Sequence, residues 1–211
     1  MTQKIKIVIA LMLIVNFFAM CKPSKMTDAK EFMKYLSDDE NGLVKDKKIG
    51  GIKYKLKYLP EEYLAYNTII GQNDFNLKQK DSIIKSFNNS ITFVLNIGPA
   101  EGEDFDITQL GVSNYEEFAQ RIEQMAFKAS DWINLKVEET EYKPTIVRME
   151  NINALERSRN FIVVFSSEKN SDKDLRRKDM CFVYYDEMFN TGTNKFIFQS
   201  KDINNIPQFI F

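Results

Sequence analysis

From Trp132 onward almost every regular stretch reads as a β-strand: Trp132 to Glu138, Thr145 to Glu150, Asn160 to Ser166, Met180 to Asp186 and Lys195 to Ser200. The connections between them are too short to hold a crossover helix, so antiparallel neighbours are expected. Phe161-Ile162-Val163-Val164-Phe165 is apolar at odd and even positions alike, the pattern of a central strand covered on both faces. Asn190-Thr191-Gly192-Thr193-Asn194 reads as the turn ahead of Lys195-Phe196-Ile197-Phe198. The C-terminal half is therefore expected to be a β-meander.

The N-terminal half mixes both periods. From Ile52 to Tyr58 apolar residues alternate with Lys53, Lys55 and Lys57, which places the lysines on one face of a half-buried strand and also suits a sheet edge. A second strand runs from Ile91 to Ile97 and is closed by Gly98-Pro99. Thr27 can cap a helix whose buried face carries Phe32, Tyr35 and Leu36. Pro60 suits the first turn of another, with Glu61 and Glu62 at its positive end and Tyr63, Tyr66 and Ile70 facing inward before Gly71. A weaker helical pattern runs from Leu77 to Phe87, anchored by Ile83, Ile84 and Phe87. Ser113-Asn114-Tyr115-Glu116 reads as a capping box ahead of Phe118, Ala119, Ile122, Met125, Ala126 and Ala129 at helical spacing. At these spacings Tyr54, Tyr58, Tyr63 and Tyr66 are core residues rather than an aromatic patch.

These elements predict an α+β fold: a mainly antiparallel sheet of about six or seven strands, with three or four amphipathic helices largely on one face. The alternative is an all-β sandwich with helical decoration.

The first residues carry a different message. Lys4 and Lys6 precede an apolar run from Ile7 to Ala19, interrupted by Asn16 and followed by Cys21. A membrane span needs roughly 20 apolar residues, and this run stops before Lys22-Pro23. The segment resembles a bacterial lipoprotein signal, although Phe18 and Met20 depart from the usual residues before the cysteine. The expectation is a signal peptide over 1–20, lipidation of Cys21, a polar tether over 21–26 and a single α+β domain over 27–211. An ordinary cleaved signal and an uncleaved signal anchor are the other readings.

Composition narrows the chemistry. The chain has no histidine, which excludes a Ser-His-Asp triad, a Cys-His pair and His-Glu-x-x-His zinc sites. With 29 basic and 30 acidic residues there is no strongly basic surface. Arg176-Arg177-Lys178 sits among Asp172, Asp174 and Asp179 and reads as a solvated loop, so nucleic acid is not an expected partner. If Cys21 is lipidated, Cys181 is the one remaining thiol and cannot form an intramolecular disulfide; it reads as a small buried hydrophobe. The acidic loop Glu101-Gly102-Glu103-Asp104-Phe105-Asp106 lacks EF-hand spacing, and the loop Glu168 to Asp179 lacks the central glycine. No metal or cofactor is expected.

Cys21 behind its signal, Asp39-Glu40-Asn41-Gly42-Leu43, Lys57-Tyr58-Leu59-Pro60-x-x-Tyr63, Tyr185-Asp186-x-x-Phe189-x-x-Gly192-x-x-Lys195-Phe196-x-Phe198 and Ile203-x-x-Ile206-Pro207 together form a pattern spanning most of the chain. It is similar to uncharacterised lipoproteins of the Bacteroidota. The resemblance implies a Gram-negative cell envelope and brings no catalytic residues. Lys22-Pro23-Ser24-Lys25, in place of the acids that follow the cysteine in surface-exposed lipoproteins of that group, points to a periplasm-facing position at the outer membrane.

The expected function is that of a lipid-anchored, non-enzymatic binding or assembly module, held at the membrane by its acyl chains and meeting an envelope protein partner. One alternative is a glycosidase-like hydrolase using two carboxylates from Glu61, Glu62, Asp104, Asp106 or Glu187, which needs the pair about 5 to 10 Å apart in a cleft. Another is a glycan or small-ligand binder presenting Trp132, whose alternation with Asn134 and Lys136 suits an exposed face.

Overall fold

The computed structural model describes residues 25–71, 79–150, 156–166 and 175–211. The signal-like segment, Cys21, residues 22–24, Leu77 and residues 168–174 lie outside them. The described chain is α+β, as the sequence predicts, and its strands divide between sheets. β2 (Val44–Ile49), β3 (Ile52–Leu59), β4 (Ser90–Pro99), β7 (Ile146–Met149) and β8 (Arg159–Ser166) form a five-stranded antiparallel sheet in the order β2-β3-β4-β8-β7. β5 (Ile133–Val137), β6 (Thr140–Tyr142), β9 (Met180–Asp186) and β10 (Gly192–Phe198) form a four-stranded one in the order β10-β9-β5-β6. β1 (Lys25–Met26) pairs in parallel with β11 (Gln208–Phe209).

The expectation of one sheet of six or seven strands is thus corrected to two larger sheets and a small one. Alternation reports which face of a strand is buried, not what buries it. The short connections do produce antiparallel pairs, β5 with β6, β7 with β8 and β9 with β10. Because β7 and β8 join the five-stranded sheet, the C-terminal half is no simple meander. The two sheets meet through aromatic side chains: Phe93 of β4 lies 5.3 Å from Phe182 and 5.1 Å from Phe198, and Tyr54 lies 5.7 Å from Tyr184. Centroid spacings of this size are those of interlocking aromatic contacts.

In β3 Ile52, Tyr54, Leu56 and Tyr58 are buried while the lysines take the other face. β3 is nevertheless not an edge, since it pairs on both sides. The edge is β2, where Lys45 and Lys47 stand opposite Leu56 and Tyr54 and so point inward. Their ammonium groups lie 5.9 Å and 5.3 Å from the Phe198 and Phe196 rings. Inward lysines of this kind discourage a second chain from adding to the edge.

The first helix, α1 (Ala29–Ser37), buries Phe32, Tyr35 and Leu36 and is capped by Asp28 rather than Thr27, its carboxylate accepting from the amides of Lys30 and Glu31. In α2 (Glu61–Ile70) Tyr66 turns to Phe209 and Phe211, 5.3 Å from each, so the buried positions are Ala65 and Ile69. Ile70 is correspondingly 62% exposed, against expectation. The short helix α3 (Lys80–Phe87) follows. In α4 (Tyr115–Glu123) the cap is Asn114, which accepts from the Glu117 amide while the Glu117 carboxylate accepts from Ser113 N–H. This is the capping-box exchange one residue later than the sequence suggests. A π-turn over Gln124–Lys128 and a 3-10 turn over Ala129–Trp132 carry the chain into β5, and α5 (Ser200–Asn204) precedes β11.

Candidate ligand-binding cleft

Register places the outer-face side chains of the five-stranded sheet in rows. One row is Lys55, Asn96 and Asn160; the next is Lys57, Val94, Ile162 and Arg148; the third is Leu59, Thr92, Val164 and Ile146. Tyr63, Leu64, Asn67 and Thr68 of α2, with Phe87 at the end of α3, stand over these rows and complete a cleft of about 710 Å³. Glu150 lies on its far side. A second hollow of about 440 Å³ shares Arg148, Glu150 and Asn160 with the cleft and extends it past Met149, Glu156 and Ser158. Clefts of several hundred Å³ with a few convergent polar groups are the usual form of small-ligand sites.

The wall is fixed on both sides. Arg176 pairs with Glu61 at 2.9 Å and donates to the carbonyls of Phe87 and Ser90, tying together the start of α2, the end of α3 and the start of β4. This corrects the reading of Arg176-Arg177-Lys178 as a solvated loop, because Arg176 is largely enclosed and Lys178 pairs with Glu138. On the opposite side of α2 Tyr66 packs against Phe209 and Phe211. The floor is ordered as well, with Asn96 Nδ2 donating to Asn160 Oδ1 at 2.7 Å and to Ser158 Oγ at 3.0 Å. Such a floor needs little rearrangement to receive a ligand.

Charge in the cleft is one-sided. Lys55, Lys57 and Arg148 line it against the single carboxylate of Glu150, and among the described residues none of the three cations is ion-paired. Asp46, opposite Lys55 on β2, is taken by Lys53 at 3.4 Å. The Lys57 amine donates to Ser37 Oγ at 2.8 Å. Burial, and then the neighbouring charge of Lys55, hold its pKa below that of an ordinary lysine.

The carboxylates singled out in the sequence lie elsewhere. Glu61 meets Arg176, Asp104 pairs with Arg157, and Asp106 is held by both oxygens on Arg159 Nη2 at 2.9 and 3.0 Å. Glu187 accepts from the indole N–H of Trp132 at 3.2 Å. None of Glu61, Glu62, Asp104, Asp106 and Glu187 lines the cleft. The acidic loop is thus distributed over Lys48, Arg157 and Arg159, and among the described residues no group of His, Cys, Asp or Glu is placed to hold a metal ion. Trp132 is 6% exposed, buried where its alternation suggested an open face, because it closes the 3-10 turn ahead of β5 instead of lying within the strand. Cys181 is half-buried rather than enclosed, on the opposite face of β9 from Phe182; burial pushes its thiol up despite nearby Lys195, Lys136 and Lys47.

Asp186 explains part of the C-terminal motif. Its carboxylate accepts from the amides of Met188, Phe189 and Thr191 and from the hydroxyls of Thr191 and Tyr54. It therefore braces the β9–β10 turn, which falls earlier than Asn190-Thr191-Gly192-Thr193-Asn194 because Gly192 already pairs with Asp186. Burial drives the Tyr54 and Tyr184 hydroxyls far above their ordinary pKa, and the Asp186 charge adds to this. Of the four tyrosines read as core, Tyr54 and Tyr58 are buried and Tyr63 lines the cleft.

No protein-family model matches the chain, and no curated protein matches it. Among solved structures it is similar to a protein of unknown function from Burkholderia pseudomallei K96243, with a TM-score of 0.36 and 8% identity over 84% of this chain and 89% of that one. It is also similar to a DUF4426 family protein from Pseudomonas aeruginosa PAO1, with a TM-score of 0.32 and 10% identity over 74% of this chain and 91% of that one. At this distance neither likeness informs the function.

Proposed function

We propose that the protein is a non-enzymatic binding module of the cell envelope, tethered through a lipidated Cys21, that holds a small ligand in the cleft between α2 and the outer face of the five-stranded sheet. One observation carries the binding reading: a preformed cleft of about 710 Å³ whose polar floor is already hydrogen-bonded and whose cations have no carboxylate partner among the described residues. Apolar and polar groups share its lining, with Leu59, Leu64, Phe87, Val94 and Ile162 giving contact area and Lys55, Lys57, Asn67 and Asn96 giving orientation. The tether rests on the sequence around Cys21.

Native mass spectrometry of protein extracted gently from its membrane tests the binding reading. A bound small molecule is expected on the wild type and should be missing from Val94→Trp, whose indole fills the floor. A wild type without any bound mass, together with a ligand screen that shifts no NMR resonance in the cleft, would overturn it. The intact mass of the same sample tests the tether: a mature chain beginning at Cys21 with added acyl mass is expected, and an unacylated or earlier start refutes it.

A further inference from the structure

We infer that the ligand of this cleft is a single-chain anionic amphiphile, an apolar chain ending in one phosphate or carboxylate group. The inference rests on the cleft being the binding site and adds the chemistry of what it takes. Two observations lead to it, one from charge and one from the order of the rows.

Lys55 and Lys57 lie two positions apart on the same face of β3, so their side chains run side by side over the sheet. Around them the carboxylates of the cleft region are accounted for: Asp46 is on Lys53, Glu61 is on Arg176, and Glu150 lies on the β7 side, beyond β4 and β8. Two neighbouring ammonium groups, half-buried and without a counter-ion among the described residues, repel each other. An anion lying between them removes that repulsion and receives charge-assisted hydrogen bonds, which are about twice as strong as neutral ones. Asn67 of the facing helix also lines the cleft, and a headgroup with several oxygen acceptors can use its amide donor.

Towards Phe87 much of the lining is apolar, although Thr68 also lines the cleft and Arg148 closes the Lys57 row beyond Ile162. Past Lys57 come Val94 and Ile162, and the neighbouring row and the wall add Leu59, Leu64 and Phe87. A small hydrophilic anion would leave this surface wet, whereas a neutral apolar molecule would leave the lysines unpaired. A ligand with both parts satisfies both halves, its head at Lys55 and Lys57 and its chain over Val94 and Ile162 towards Phe87.

Isothermal titration calorimetry with decyl phosphate and decanoate, below their micelle concentrations, tests this against decyl maltoside and inorganic phosphate. The two anionic amphiphiles should bind about tenfold or more tightly than either control, and Lys57→Gln should reduce their affinity about tenfold while leaving decyl maltoside unchanged. Lys55→Gln, which removes the partner cation, should act in the same sense and decides the matter should Lys57→Gln fail to fold. Equal binding of decyl maltoside, or anion affinity unaffected by both substitutions, overturns the anionic assignment while leaving the cleft a binding site. Tight binding of inorganic phosphate alone overturns the amphiphile. Silence of the cleft towards every probe overturns both the inference and the function it rests on.

Discussion

Single residues hold this fold at points where charge is enclosed, and Asp106 with Arg159 is the clearest. Arg159 is 5% exposed and Asp106 bears most of its compensation, helped by the hydroxyl and amide of Thr108. Burial alone would raise the Asp106 pKa, but the Thr108 and Arg159 hydrogen bonds and the Arg159 charge outweigh it, leaving the carboxyl below its ordinary value. A carboxyl depressed in the folded state stabilises fully above its unfolded value and loses that contribution as pH falls through the folded one. Asp106→Asn is therefore expected to cost about 3 kcal/mol in urea denaturation at pH 7, with the gap to wild type closing as pH falls below about 4. None of this was legible in Glu101 to Asp106, because spacing within a loop does not say which cation, some 50 residues away in either direction, will meet each acid.

Among the elements, period two served well and the choice of neighbour did not. Ile52 to Tyr58, Ile91 to Ile97 and Met180 to Asp186 fold as strands, and in the first the predicted face is the buried one, since alternation is a local consequence of pleating. The one sequence sign of the cleft was the apolarity of Phe161 to Phe165 on both faces: Phe161, Val163 and Phe165 enter the core, while Ile162 and Val164 are only half-covered and become outer-face floor. Lys55, Lys57, Asn96 and Asn160 gave no sign, because each is an ordinary solvent-facing residue until α2 stands over it. At the β2 edge the lysines that looked like edge protection on β3 are matched by Lys45 and Lys47, turned inward. Lys47→Ile should leave the fold intact and promote self-association on concentration, measured by light scattering. A variant that stays monodisperse would show that β2 is guarded by other means.

For the molecule as a whole, the contact between the sheets decides cooperativity. Phe93 touches Phe165 within its own sheet and Phe182 and Phe198 across the core. Phe93→Ala should cost about 4 kcal/mol and still give one unfolding transition, because neither sheet keeps a buried face without the other. Two separated transitions in calorimetry would show that the sheets fold independently. Under the proposed lipidation of Cys21, the small parallel pair β1–β11 would be the part of the described chain nearest the anchor. Cys21 precedes Lys25 by four residues, a stretch that spans at most about 14 Å when extended. If Cys21 carries acyl chains, the β1–β11 corner rests against the bilayer, and Phe209 in that corner packs on Tyr66 of α2, whose other side borders the cleft. The cleft would then lie on the far side of α2 from that corner, leaving a sparingly soluble guest only a short way to travel between leaflet and protein.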